Sequence, residues 1–495
     1  MIEFGEWLPD IADYNNPGST EAKNVVPTID GYNQFKAFTR TESALNSDCR
    51  GGFAAQSSSK IGYNYAGSGS KLYQLSDGTW TDQSKAGGTY SLLNGESWEF
   101  VKWGEKVIAV GGINSGTPVP PQIITMGSVG STEFADLGGN PPQARHIATV
   151  KDFIVMGNLY ESATKYPSRV RWSGVNDETN WVTNKAKQSD YQDIPGKGGW
   201  IQKVVGGDYG LLIMERGIVR MDYIGPPLVF SFNRILPELG TAAVNSVVQQ
   251  GNFVFLLAPT GFKGIVDGIE RLDIGDNKID RWFFDNVDLS YAHRIVGAFD
   301  RVNNRIIWIF PDNQATLGLP NNGIIFDIVT RRWSRFEENI EWVYTAYGVS
   351  YTLDGLDSVS SSIDDLGASL DSAAWISGVI SLGAFDDSHY GGRFDGDPTE
   401  AVLETKEQRL SGNRKTFIKR LRPEIDCGGG TVTLKIGGRD CLGDSVVWGG
   451  DLIQERDKNW SARTNARYHR FRATITGGFQ RAQGIAIVDG KRSGV

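Results

Sequence analysis

Through the middle of the chain, short apolar runs end at polar turns and resume on the far side. The stretch "GIIFDIVTRRWSRF" at Gly323–Phe336 shows the form: an apolar segment, a turn of threonine and arginines, then Trp333 and Phe336. Related segments begin at Val101 ("VKWGEKVIAV"), Ala148 ("ATVKDFIVM"), Val204 ("VVGGDYGLLIM"), Val247 ("VVQQGNFVFLL") and Val296 ("VGAFDRVNNRIIWIF"), with a looser one, "FAAQSSSKIGYNY", at Phe53. Gly, Asn or Asp at the turns supplies positive φ or a side-chain-closed reversal, so each segment predicts a β-hairpin. The strand after each turn is more continuously apolar, which predicts burial on both faces.

A third strand is predicted after each hairpin, at Lys71, Gln122, Arg169, Gly217, Ile269 and Gly323. A fourth is predicted in "TWTDQS", "EFADLG", "NWVTN", "FSFNRI", "RWFFDNV" and "RRWSRF". The spacing between units is on the order of 40–55 residues, the period of four-stranded propeller blades. One such blade cannot bury both faces, whereas radial stacking covers them. The pattern therefore predicts an all-β chain: a six-bladed β-propeller-like ring, with "IEWVYTAYGV" at Ile340–Val349 adding a strand that closes it. An irregular pair of β-sandwiches fits the same strands less economically. Period-two alternation and the glycine load exclude a helical solenoid.

The flanks differ in character. Residues 1–48, with turn signals such as "NNPG", read as an extended N-terminal arm, and 49–350 as the propeller. Residues 351–375 are an Asp/Ser-rich linker. Their carboxylates invite a calcium site, but the spacing does not match an EF-hand loop. From about 376 to 495, strands such as "KTFIKRLRPEID" and "YHRFRATITGG" alternate polar and apolar residues, predicting an antiparallel C-terminal β-sandwich domain.

Composition agrees with many short strands: 61 glycines, 11% aromatic, 40% apolar and 22% charged residues in 495. No apolar run is long enough for a membrane-spanning helix. The acidic start, "MIEFGEWLPD", does not suggest a secretory leader. Charge divides along the chain. Residues 401–495 carry 18 Lys and Arg against 10 Asp and Glu, although the whole chain is −8. A basic module on an acidic body suits contact with an acidic partner surface or a neighbouring copy.

Chemistry is sparse. Cys49, Cys427 and Cys441 form no CxxC, and the four histidines stand apart from ligand partners, so no metal or cofactor site is expected. "LSDGTW" at Leu75–Trp80 holds the residue types of a sialidase Asp box in compressed form and does not repeat. Adjacent acids such as Asp364–Asp365 and Asp386–Asp387 point to opposite sides of an extended chain, which disfavours a glycosidase pair. No nucleophile, zinc or phosphate-loop motif is present. The reading is a protein that is not an enzyme. Arg467, Arg470 and Arg472 in "RYHRFR" are the candidate protein-contact residues, although their alternation with Tyr468 and Phe471 is also that of a half-exposed strand.

The N-terminal "EWLPDIADYNNPGSTEAKNVVPTIDGY" resembles the opening of short-tailed bacteriophage (podovirus) tail proteins. So do "RVRWSGVNDETNW", "FLLAPTGF", "AFDRVNNRIIWIFP" and "ARYHRFRATI" further on. The resemblance is to tail nozzle or hub proteins, akin to tail tubular protein B and the packaged-DNA stabilisation (tail accessory) proteins. It implies a virion protein assembled in the host cytoplasm as a homohexameric ring that docks to the tail adaptor and fibres. Double-stranded DNA would pass through the lumen without sequence-specific binding, and the ring would meet the host outer surface during infection. The content of Trp and Tyr leaves a second possibility, a carbohydrate-binding propeller that recognises a host surface glycan.

Overall fold

The computed structural model describes the chain except residues 87, 114–117, 349–361, 363–379, 413 and 493–495. The six repeated units are six consecutive four-stranded antiparallel blades, five of them separate sheets and the sixth continuing into a larger one. Their innermost strands are Cys49–Gln56, Glu99–Trp103, Gln143–Val150, Ile201–Val205, Val248–Gln250 and Val296–Asp300. The second strands are the apolar ones and are buried on both faces: "KVIAV", "GLLIM", "FVFLLA" and "RIIWIF" have almost no exposed position. Turn chemistry is as the sequence implied, with positive φ at Lys151, Gly207, Gly251 and Asn304 in the first hairpin turns of the third to sixth blades. The six repeated units thus stand as propeller blades, as anticipated from the pattern.

Ile340–Tyr347 does close the ring, and it does so by founding a further four-stranded sheet. Ile380–Asp386, Tyr390–Arg393 and Thr39–Ala44 complete that sheet, the last pairing antiparallel with Tyr390–Arg393. At this seam Asn64 and Tyr347 exchange two hydrogen bonds of 2.8 Å. A Cβ on Gly52 would come within 2.7 Å of the Tyr344 ring, so only glycine lets the first blade approach so closely.

Two predicted outer strands are placed elsewhere. "RWFFDNV" lies in the helix Asp280–Asn286, and the fourth strand of that blade is Glu270–Asp273. Gly261, at φ +113°, turns the chain early, and Asp10 accepts hydrogen bonds from the backbone N–H of Arg281 (2.9 Å) and Trp282 (2.7 Å), satisfying the helix N-terminus. "NWVTN" lies in a connection because Trp181 is drawn into the core between blades, and the outer strand is Asp190–Asp193.

The expected boundaries also shift. Residues 1–48 are not a free arm. Ile2–Glu3 pairs with Arg481–Arg492, and Val25–Thr28 and Gly31–Gln34 form a hairpin in the C-terminal domain. Glu21–Lys23 bridges the outer strand of the sixth blade and Ala401–Glu404. Each edge strand finds its unpaired backbone partner far along the chain, which segment-by-segment patterning does not reveal. The sandwich itself begins near Ala401, since Ile380–Arg393 belongs to the closing sheet. The linker expected at 351–375 lies outside the described residues apart from Ser362.

The bridging strand makes one nine-stranded sheet running from the sixth blade into the sandwich. One hydrophobic core follows it, in which Phe262, Trp308 and Trp333 of the propeller join Tyr32, Leu421, Phe471 and Ile485 of the sandwich. The Trp333 indole donates to the carbonyl of Ile274 (3.0 Å), so the polar edge of this buried ring is satisfied.

Candidate functional site

The strand Tyr468–Thr476 alternates strictly. His469, Phe471, Ala473 and Ile475 are buried, and Tyr468, Arg470, Arg472 and Thr474 occupy the half-exposed face. Glu404, 4% exposed, holds two of the arginines: Arg470 Nη1 reaches Oε1 at 2.9 Å and Arg472 Nε reaches Oε2 at 2.9 Å. Arg470 also pairs with Asp13 at 2.5 Å, and Arg472 lies over the Trp448 ring at 4.2 Å. Arg467 precedes the strand and is exposed. The three expected contact residues are thus not one free patch, because two are tied within the chain.

A more organised constellation lies at the propeller axis. The innermost strands enclose a cavity of about 600 Å³. In its wall, Glu99 of the second blade is 6% exposed and accepts from His146 Nδ1 of the third blade (2.8 Å) and Lys203 Nζ of the fourth (2.9 Å). The backbone N–H of Ile147 adds a third donor at 3.2 Å. Donation from Nδ1 leaves His146 Nε2 as an acceptor, and it has no partner among the described residues.

Burial pushes the Glu99 carboxyl up, but the charge of Lys203 and the interaction with His146 outweigh it and hold it at about 2. Burial lowers His146 below its usual range, against the pull of Glu99. Both depressed values have the same sign in linkage. Their stabilising contribution is present above the unfolded values and is lost as pH falls, first below about 6.5 for His146 and then below about 4.5 for Glu99.

The cavity lining also holds Lys102 and Arg301, both exposed and without an ion-pair partner among the described residues. Glu99 is the only carboxylate among the described lining residues. The sequence patterns passed over these residues because the partners are 47 and 104 positions apart. Aligning the innermost strands unit by unit is the signal that brings Glu99, His146 and Lys203 to one level.

Nucleophilic and metal chemistry find little here. Burial, then the charge of Glu341, push the Cys49 thiol well up, which suppresses thiolate. No group of three His, Cys, Asp or Glu is placed to hold a metal among the described residues. Trp200 is the one tryptophan with an exposed side chain among the described residues, and most others, such as Trp98 and Trp308, are core.

No protein-family model matches the chain, and no curated protein matches it. Solved structures with similar arrangement include the Pan2 WD40 domain of Neurospora crassa, at 9% identity and TM-score 0.33, covering 63% of this chain and 89% of that one. The extracellular domain of a one-component system of B. thetaiotaomicron is 12% identical with TM-score 0.40. It covers 87% of this chain, which spans 52% of that one. A quinonprotein alcohol dehydrogenase-like protein of Bacteroides thetaiotaomicron is 9% identical with TM-score 0.30, covering 56% of this chain and 62% of that one. At these scores the likenesses carry no functional inference.

Proposed function

We propose that this protein is a non-catalytic structural subunit of a short-tailed phage tail nozzle, located in the virion, six copies of which form a ring around the exiting genome. The observation that carries this reading is the nine-stranded sheet that joins the sixth blade to the C-terminal sandwich over a shared core. A ring part under force needs its modules fixed to one another, and a continuous ladder with a common core resists the hinge motion expected of separately packed domains.

Two further observations support it. The passages resembling podovirus tail proteins run from the N-terminus to the last strands. The basic residues concentrated after Ala401 and the acidic excess before it are suited to head-to-tail contact, in which the sandwich of one copy faces the propeller of the next. The axial cavity, at about 600 Å³, has the size of a small-molecule pocket rather than of a duplex channel. In this reading the genome passes between copies, not through a subunit. The glycan reading has less behind it, since Trp200 is the only exposed tryptophan among the described residues.

The test is the native mass of the purified full-length chain, alone and mixed with the other tail proteins of its virion. The expected species is a hexamer, by itself or on the adaptor. A chain that stays monomeric in the mixture contradicts the proposal.

A further inference from the structure

The chain is net negative, yet its axial cavity is lined by three cations and, among the described residues, one carboxylate. Glu99 is already matched by Lys203 and further held by His146 and the Ile147 N–H. Lys102 and Arg301 therefore remain uncompensated. Lys102 belongs to the innermost strand of the second blade, and Arg301 directly follows that of the sixth. Both line the same concavity, where low-dielectric walls concentrate the field of each charge. Neighbouring polar side chains are already engaged: Thr149 Oγ1 donates to the carbonyl of Lys102 (3.3 Å) and Gln249 Nε2 to that of Gly206 (2.7 Å). Lys102 and Arg301 are the free cationic donors of the cavity among the described residues, and the hydroxyl of the lining residue Tyr344 is also without a partner.

We propose that this axial cavity is a binding site for a small oxyanion, a phosphate or a carboxylate group, held between Lys102 and Arg301. Lys203 sets the polarity of the wall by neutralising Glu99, so that no uncompensated carboxylate repels the ligand. The guanidinium offers a planar pair of donors to such a group and the ammonium a point charge, the two commonest means of oxyanion recognition. A volume of about 600 Å³ accommodates a ligand bearing such a group, and the partly open geometry predicts binding that weakens as salt rises. This site is independent of the proposed tail role and would stand if that role failed.

The experiment is isothermal titration of the intact chain with pyrophosphate and, separately, with citrate, at low salt and at high salt. The expected result is saturable binding of at least one of them, weakened by salt. Lys102→Ala and Arg301→Ala should each lower affinity about tenfold, which is the loss of roughly one charge-assisted hydrogen bond. Neither variant should shift the melting temperature, and Lys60→Ala, on a hairpin turn outside the cavity lining, should leave affinity unchanged. Preference for pyrophosphate identifies a phosphate ligand and preference for citrate a carboxylate one. Absence of binding of both at millimolar concentration, or affinity unaltered in the Lys102→Ala/Arg301→Ala double variant, overturns the proposal.

Discussion

At Glu99, three blades meet on one carboxylate, and the energetics of that meeting are unequal for its members. Removing Lys203 strands a buried negative charge, whereas removing both charges together leaves no buried charge without its partner. Lys203→Met is therefore expected to destabilise the protein by about 3 kcal/mol, near the lower end of the range for a broken buried pair because the lysine is partly exposed. Glu99→Gln/Lys203→Met should recover much of that loss, as thermal unfolding of the two variants would show. Equal destabilisation by the single and double variants would mean the carboxylate is held by packing rather than by charge. These residues were not legible in the sequence as a group. Each looks like an ordinary polar position on an alternating strand, and only the stacking of blades gives them a common neighbour. The arginines of "RYHRFR" show the converse. Their strand face was legible, but Glu404 and Asp13, which tie down Arg470, sit 66 residues upstream and in the N-terminal segment.

Hairpins were the elements best read from sequence, because their signal is local: a turn residue able to adopt positive φ between two apolar runs. The strands around "GNF" at Gly251 and "DRVNN" at Asp300–Asn304 fall where the pattern put them. Elements whose partners are remote were not legible. Thr39–Ala44 carries little apolar pattern of its own and is a strand because Tyr390–Arg393 presents an open edge to it. "RWFFDNV" has strand-like composition and is helical because Asp10 caps it and Phe283 is pulled into the core. The ring seam offers a test at this scale. Gly52→Val places a side chain against the Tyr344 ring and is expected to cost about 1–3 kcal/mol by overpacking. Gly251→Asn, at positive φ but with open space around its Cβ position, should stay within about 0.5 kcal/mol, since Asn tolerates that backbone. Comparing the two melting curves separates close packing at the seam from backbone demand at a turn.

At the scale of the whole molecule, the N-terminal strands are stitched into three places: the closing sheet, the bridge beside the sixth blade and the sandwich. With both ends of the chain held in shared sheets, propeller and sandwich form a part able to bear load. The fold class and the existence of a C-terminal sandwich followed from alternation and spacing. The joining of the two did not, because it depends on a three-residue strand, Glu21–Lys23, that pairs on both sides with segments more than three hundred positions away. The uneven charge along the chain suits the head-to-tail contact between copies that we propose.

The central claim is that such copies surround a common conduit. Electron microscopy of the native assembly tests it most directly. The account predicts a closed six-fold ring with a central lumen bounded by neighbouring subunits and clear of any single propeller axis. Isolated subunits, or a ring lacking an open lumen between copies, would contradict it.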